Sequence, residues 1–464
     1  MTDIPLLDSP APAAIPVHAL RTGEWEAWIG SRADSLKKLA AAHDFRAQNG
    51  RILLVPSTAG DIERVLFGLG DNATAMAFGA LSQQLPSADY AITWAPREFD
   101  ATLIAVAWAL GAYSFTRYKP RKRAAPRLVA GEGVDIAEAR HITEAVHLAR
   151  DLVNTPANDM GPEALHARAK EAADESGATF EAFVGADLLA HNFPMIHAVG
   201  RAAKEAPRLL RITWGEETAP RVTIVGKGVT FDSGGLDIKP DSGMRLMKKD
   251  MGGAAVALSL GRLIMRAKLP VRLELILPVV ENAISGDAFR PGDVVPTRKG
   301  LSVEVDNTDA EGRLILSDAL ALACEGTPDI LLDFATLTGA ARVALGPDIT
   351  PFYTDDETLA ADLAIASREA ADALWRMPLW DAYEPDMDSP IADLKNTGDA
   401  AMAGSIYGGL FLRRFVSAPV WAHFDIYAWT PRDRPGRPAG GDAHALRACW
   451  RMLQRRIIHK SDSR

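Results

Sequence analysis

The stretch Val225-Gly-Lys-Gly-Val-Thr-Phe-Asp-Ser-Gly-Gly-Leu-Asp-Ile-Lys-Pro240, with Arg221 to Val225 leading into it, decides how the chain is read. The approach run is apolar and β-branched, as a strand buried on both faces requires. Lys227 and Asp232 therefore lie where the chain leaves the carboxyl end of that strand, the edge at which open α/β sheets bind ligands. Glycines at 226, 228, 234, 235, 252 and 253 let the backbone turn tightly and approach a ligand. Asp250, in Met247-Lys-Lys-Asp-Met-Gly-Gly253, stands just before a new helix.

A second segment repeats the arrangement. Leu301 to Val305 reads as a strand, and Asn307-Thr-Asp-Ala-Glu-Gly-Arg-Leu314 follows it, opening a helix near Gly312. Asp309 and Glu311, one residue apart in an irregular turn, can point to one side. Four carboxylates thus gather at two strand ends: Asp232, Asp250, Asp309 and Glu311. Anions that close resist ionising together, so either the chain's own cations or divalent metals neutralise them. Lys227, Lys239 and Arg313 balance three of the four in a salt-bridge network. Two divalent ions sharing carboxylates would instead make a site that activates water. The Walker pattern GxxxxGK[ST] and the GxGxxG fingerprint are absent, which weakens a phosphate or dinucleotide reading. Spacing alone leaves the salt-bridge and metal schemes both open.

Working outward, strand-like and helix-like runs alternate along the chain. Arg51 to Val55 and Tyr90 to Trp94 read as strands and Thr102 to Ala112 as a helix. The basic, proline-containing run Arg117 to Pro126 interrupts the periodicity, and Gly133 to Val153 reads as a helix stopped at Asn154-Thr-Pro156. Strands at Arg221 to Val225, Arg272 to Leu277, Leu301 to Val305 and Ile330 to Ala335 are separated by helices at Gly252 to Ala267, Gly312 to Glu325 and Glu357 to Arg376. A last helix, Asp442 to Lys460, is basic on one face. The expected fold class is α/β with two domains. A smaller N-terminal α/β domain covers 1–130, a connecting helix 131–155, and a larger C-terminal α/β domain 156–464, whose central mixed sheet is flanked by helices. Met1 to Leu20 reads as a tail or edge segment lacking the apolar core of a secretory signal.

Composition narrows the function classes. The 464 residues are 48% hydrophobic and 24% charged, which supports a sizeable core and excludes a disordered chain. A net charge of −9 opposes whole-protein attraction to nucleic acid or anionic membrane, and the basic run at 117–126 reads as a solvated loop. Ala101 to Phe115, the most apolar stretch, is too short for a bilayer. Cys324 and Cys449 cannot form a disulfide framework, and they point to a reducing cytoplasm. The ten histidines form no HExxH, and His423 and His444 read as packing or surface residues.

The strings VGKGVTFDSGGLDIKP (225–240), LMKKDMGGAA (246–255) and NTDAEGRLILSDAL (307–320) resemble the defining motifs of the leucyl aminopeptidase family of dinuclear metallo-exopeptidases, in matching order and separation. Arg150-Asp-Leu-Val-Asn-Thr-Pro-Ala-Asn158, Ala335-Thr-Leu-Thr-Gly339, Asp393-Leu-Lys-Asn396, Ala403-Gly404 and Phe411-Leu412 add to the resemblance. It implies a metal-dependent aminopeptidase that releases N-terminal amino acids from peptides by a two-metal activated water.

Residue by residue, the resemblance implies that Asp232 and Glu311 bridge two divalent ions, zinc or manganese, with magnesium or cobalt possible at the exchangeable position. Lys227 and Asp250 would complete the tighter site, and Asp309 the exchangeable one. A lysine ligand must be neutral, a state that metal charge and desolvation both favour. Lys239 would stabilise the oxyanion, and Arg313 would hold a bicarbonate that shuttles the proton. Met247, Thr336, Gly339, Tyr427 and Thr430 would line the pocket for the first side chain. The implied partners are peptides with a free N-terminus, in a cytoplasmic homohexamer with no membrane or nucleic-acid role. The alternative is a DNA-binding or regulatory protein that keeps the scaffold.

The chain departs from the family near its end. His423-Phe-Asp-Ile-Tyr-Ala-Trp-Thr430 stands where the family has DIAG followed by small or medium residues, and Arg437-Pro-Ala-Gly-Gly-Asp442 replaces GATG or GMTG. The ligand positions are untouched. Tyr427, at an alanine position, is expected to narrow or polarise the pocket.

Overall fold

A computed structural model describes residues 4–8, 14–399 and 401–461 of the chain. It divides into two compact units, Met1–His147 with Arg432–Ala439, and Leu148–Pro431 with Gly440–Arg464. The division falls inside the long helix Ile136–Asn154.

The first unit is built on a six-stranded sheet in the order Leu6–Leu7, Arg127–Val129, Asp89–Trp94, Ile15–Arg21, Ile62–Gly70, Ile52–Pro56. All neighbours run parallel except the last pair, an antiparallel hairpin. The expectation of a tail or edge holds for Leu6–Leu7 and fails for Ile15–Arg21, which pairs on both sides. Prolines and alanines hid that strand, although its Val17 and Ala19 are fully buried, as period-2 alternation demands. Residues 1–3 and 9–13 of the same segment lie outside the described residues. The helix Ala101–Gly111 is apolar all round and correspondingly buried, with Asp100 capping it by accepting from the Leu103 N–H at 3.0 Å. In the basic loop, Arg121 donates to the Ala112 carbonyl at 2.8 Å and Arg123 to the Leu85 carbonyl at 3.0 Å.

The second unit holds a nine-stranded mixed sheet, ordered Leu374–Arg376, Thr350–Tyr353, Trp421–Asp425, Ile330–Ala335, Arg221–Gly226, Arg272–Asn282, Arg208–Trp214, Thr179–Val184, with Gly228–Asp232 also paired to Arg272–Asn282. Leu273 and Leu275 face Gly261 of the helix Gly252–Arg266, while Ile276 packs with Leu314 and Ile315 of the helix Glu311–Glu325. Successive strand residues point to opposite faces, so helices cover both sides of the sheet.

Two expectations need correction. Ser302–Glu304 is a strand, but it belongs to a separate three-stranded sheet with Val294–Pro296 and Leu394–Lys395. The run Glu357 to Arg376 is a helix only over Glu357–Glu369. Ala371 then takes a left-handed φ of 46°, which no helix accommodates, and Leu374–Arg376 continues as an edge strand. Arg208–Trp214 and Thr179–Val184 were not legible as strands because charged residues at 208, 211 and 181 interrupt their apolar pattern. Among the described residues no helix is long and apolar enough to cross a membrane.

Candidate active site

The site grows from one interruption in the central sheet. Arg221–Gly226 and Gly228–Asp232 pair in the same parallel sense with consecutive parts of Arg272–Asn282, Val225 opposite Ile276 and Gly228 opposite Val279. Lys227 sits between them. Its backbone N–H donates to the Phe334 carbonyl at 2.9 Å, and its carbonyl accepts from Ala254 at 2.7 Å, satisfying an otherwise orphaned donor in the first turn of Gly252–Arg266. With its backbone tied on both sides, the Lys227 side chain is delivered into the interior, where it is only 3% exposed. Gly312 makes this possible: a β-carbon there would lie 2.4 Å from the Lys227 Cε.

The Lys227 ammonium collects acceptors. Nζ lies 2.6 Å from Asp250 Oδ2, 3.0 Å from Glu311 Oε1 and 3.0 Å from the Thr336 carbonyl. Thr336 in turn donates its hydroxyl to Asp250 Oδ1 at 2.7 Å, fixing that carboxylate. Burial works against the charge on Lys227, yet Asp250, Glu311 and Asp232 outweigh it and hold the lysine well above its ordinary value. Burial likewise opposes ionisation of Asp250, and Lys227 and Lys249 together keep it below the usual carboxylate range.

Asp232 ends the broken strand. Its Oδ1 accepts from the Gly234 N–H and the Asn282 amide, both at 2.9 Å, while Oδ2 meets Lys239 Nζ at 2.8 Å. Lys239 also pairs with Asp309. Asp309 and Glu311 reach this place although their strand lies outside the main sheet. Thr308 donates its hydroxyl to the Gly234 carbonyl at 2.6 Å, its N–H reaches Asp237 Oδ2 at 2.8 Å, and Asn282 donates to the Thr308 carbonyl at 3.0 Å. The two glycine-rich segments are stitched together by these bonds. Asn396 secures the other end, accepting from the Asp306 N–H at 2.8 Å and donating to the Asn307 carbonyl at 2.7 Å.

Oxygen atoms of Asp232, Asp309 and Glu311 all lie within 4.8 Å of one another. That crowding has an electrostatic consequence. Burial, then the charge on Asp232, pushes Glu311 up to about 8 and Asp309 to about 6. Only the ammonium groups of Lys227 and Lys239 pair directly with the four carboxylates, while Lys249 and Arg313 act on Asp250 and Glu311 from farther off, so direct ion pairs do not complete the neutralisation. Glu311 Oε1 is buried without a directed hydrogen bond, despite the nearby Lys227. Such an atom lacks its partner, and a set of hard oxygens with one amine suits divalent cations. The donor set therefore fits metal.

Arg313 is also inside, 7% exposed, donating Nη1 to the Asn396 carbonyl at 2.7 Å while its Nε has no partner. Burial lowers it to about 10, partly offset by Asp425 and Glu311. Lys249, 2% exposed, is lowered by burial to about 8. Asp425 accepts from the Leu337 and Thr338 N–H groups at 3.0 and 3.1 Å, holding the loop after Ile330–Ala335.

Of the residues expected at the pocket, Met247 and Tyr427 are half-buried, Thr336 is buried against Asp250, and Gly339 is exposed at the start of Gly339–Leu345. Thr430 is fully buried, its hydroxyl donating at 3.0 Å to Asp442, the carboxylate paired with buried Arg150. His423 is buried, 2.6 Å from Asp333, and His444 is buried near Asp442, so both serve packing. Asn282, Asp237, Thr308, Asn396 and Lys249 were missed as site builders. Asp237, Thr308, Asn396 and Lys249 sat inside the quoted motifs, whereas Asn282 carried no signal beyond ending a strand.

Residues 147–449 match the cytosol aminopeptidase family, catalytic domain, and residues 15–130 match the M17 aminopeptidase, N-terminal domain. The chain is 36% identical over 434 residues to a probable cytosol aminopeptidase of Synechococcus sp., covering 89% of each chain. A crystal structure of cytosol aminopeptidase from Coxiella burnetii superposes with TM-score 0.93 at 43% identity, covering 97% of this chain and 99% of that one. The bottromycin maturation enzyme BotP in complex with Mn superposes at 0.86 with 33% identity, covering 95% and 99%. Sequence and fold agree, and the chain belongs to the cytosol aminopeptidase family, peptidases that hydrolyse peptide bonds.

Proposed function

We propose that the chain is a metal-dependent aminopeptidase that releases N-terminal residues from peptides, with Asp232 and Glu311 bridging two divalent ions, zinc or manganese. The observation that carries this reading is the crowded cluster, in which four carboxylates have only two ammoniums in direct contact and a buried Glu311 oxygen lacks a directed hydrogen bond. Lys227 and Asp250 would complete the tighter position and Asp309 the exchangeable one, which magnesium or cobalt also suits. Bound there, the ions would supply an activated water and polarise the scissile carbonyl.

The chain's own groups do the rest. Lys239, held charged by Asp232 and Asp309, aims an ammonium at the site where negative charge develops on the carbonyl oxygen. The unpartnered Nε of Arg313 suits a planar bicarbonate, whose chemistry is to accept and return a proton. Met247, Thr336, Gly339, Tyr427 and Thr430 define the pocket for the first side chain, Thr430 by supporting it through Asp442. Assembly as a cytoplasmic homohexamer completes the reading. The DNA-binding rival has less behind it, because two arginines of the basic loop are engaged with backbone carbonyls.

A panel of aminoacyl amides and dipeptides, each free and N-acetylated, tests the reading in the presence of zinc or manganese. Hydrolysis of the free forms alone is expected; equal cleavage of acetylated peptides would refute an aminopeptidase.

Stability should follow the protons at the cluster. Glu311 and Asp309 sit above their ordinary values of 4.5 and 3.8, so the folded metal-free chain holds protons that the unfolded chain has released. That contribution is full below about pH 4 and is lost as pH rises through about 6 and then 8. Ions displace those protons. The gap in Tm between metal-loaded and chelated protein is therefore expected to widen from pH 6 to 8, and a constant gap in calorimetry would count against it.

A further inference from the structure

Beside the cluster, two cations make no direct ion pair, although Asp250 acts on Lys249 at longer range. Lys249 Nζ lies 5.3 Å from the centre of the Tyr427 ring, and the Arg342 guanidinium carbon 4.5 Å from it. Among the described residues neither side chain forms an ion pair or a hydrogen bond, although Lys249 is only 2% exposed and Arg342 is half-buried. An aromatic ring compensates a cation weakly, and Asp250, already paired with Lys227, only partly offsets the burial of Lys249. Arginine and lysine in such a position are poised for an anion that arrives from outside.

The place they occupy is defined. A β-carbon on Gly252, two residues after Asp250, would meet Ala428 Cβ at 2.3 Å and Thr336 Cγ2 at 3.2 Å, so the Tyr427–Ala428 segment packs directly against the loop that carries Asp250. Arg342 folds back over the start of its own helix, where a β-carbon on Gly339 would lie 3.5 Å from its Nη2. Met247, Thr336, Gly339 and Tyr427 are the residues assigned to the first side chain of the substrate, and Lys249 and Arg342 stand among them.

We propose that the pocket for the first side chain selects an acidic residue, so that peptides beginning with glutamate or aspartate are the substrate class. Arg342 is the specificity-determining group, pairing its planar guanidinium with the side-chain carboxylate, and Lys249 adds a second positive charge. Tyr427 holds both cations over its ring and blocks the depth that a large apolar side chain would fill. This rests on the aminopeptidase reading above.

The test compares Glu- and Gln-initiated amides, which differ only in charge at nearly equal size, on the metal-loaded full chain, with Leu- and Met-amides alongside. The wild type is expected to favour Glu over Gln by about ten-fold or more in kcat/KM, the scale of one hydrogen bond to a charged group. Arg342→Met should bring that ratio close to one, Arg342→Lys should keep part of it, and raised salt should shrink it. Arg342→Glu should invert the selectivity toward Lys- and Arg-initiated amides. Arg342 lies on a short surface helix, so Arg342→Gln serves as a second neutral variant should the methionine disturb folding, with thermal melts reporting the fold. A wild-type ratio of one or below, or a ratio unmoved in both neutral variants, overturns the proposal. If Leu- and Gln-amides are cut but Glu-amides are not favoured, the acidic selectivity alone fails. If no amide is cut with zinc or manganese, the aminopeptidase reading fails with it.

Discussion

Glu311→Gln is expected to reduce kcat/KM by about a thousand-fold or more, on the order of 4 kcal/mol of transition-state stabilisation, while leaving the metal-free fold as stable as before or slightly more so. The two halves of that result come from one property. Glu311 is 1% exposed and pushed up to about 8 by burial and by the charge on Asp232, so at neutral pH the metal-free chain already holds it largely protonated. Glutamine copies the shape and neutrality of that form, which spares stability. It cannot copy the carboxylate needed to bridge two ions. Steady-state kinetics paired with thermal melts of chelated protein read both halves, and a variant within ten-fold of wild type would contradict the bridging role.

Lys227→Met should do the opposite to the metal-free chain. Its ammonium lies 2.6 Å from Asp250 and 3.0 Å from Glu311, and removing one partner of a buried pair strands the other charges at a cost of about 3–5 kcal/mol. The sign follows from its raised pKa: the stabilisation is fully present below the ordinary lysine value of 10.5 and so throughout the neutral range. Denaturant unfolding of chelated protein measures it. Added ions should recover part of the loss, because they place positive charge where the ammonium stood. A Lys227→Met chain as stable as wild type without metal would show that the lysine is not neutralising the cluster.

Both predictions expose a tension within the site. In the metal-free chain Lys227 is held protonated by its acidic neighbours, whereas a ligand lysine must be neutral. The carboxylates that raise its proton affinity are the ones that would hold the ions, so under this proposal metal entry would be coupled to proton release at Lys227. Gly312 makes room for the lysine where it lies in the metal-free chain, since a side chain there would collide with it.

Much of this was legible in the residues. Glycine-bounded apolar runs located Arg221–Gly226 and Ile330–Ala335, and the acidic segments that follow Arg221 to Val225 and Leu301 to Val305 located the cluster. What local pattern could not carry was tertiary. Nothing around Ser302–Glu304 says that it leaves the main sheet, because a pairing partner 91 residues away decides that, as in Glu304 against Lys395. Ile15–Arg21 was obscured because it continues a proline- and alanine-rich segment that reads as a tail until its neighbours on both sides are known. The same limit applies in the pocket. Tyr427 was recognisable as a departure, but the two cations over its ring come from residues 178 positions before and 85 before it, Lys249 and Arg342.

The most direct test of the account is the metal content of the purified chain measured together with its aminopeptidase activity, before and after chelation. Two divalent ions per chain are expected, with activity abolished when they are removed and restored by zinc or manganese. Full activity in a chain carrying no metal would contradict it.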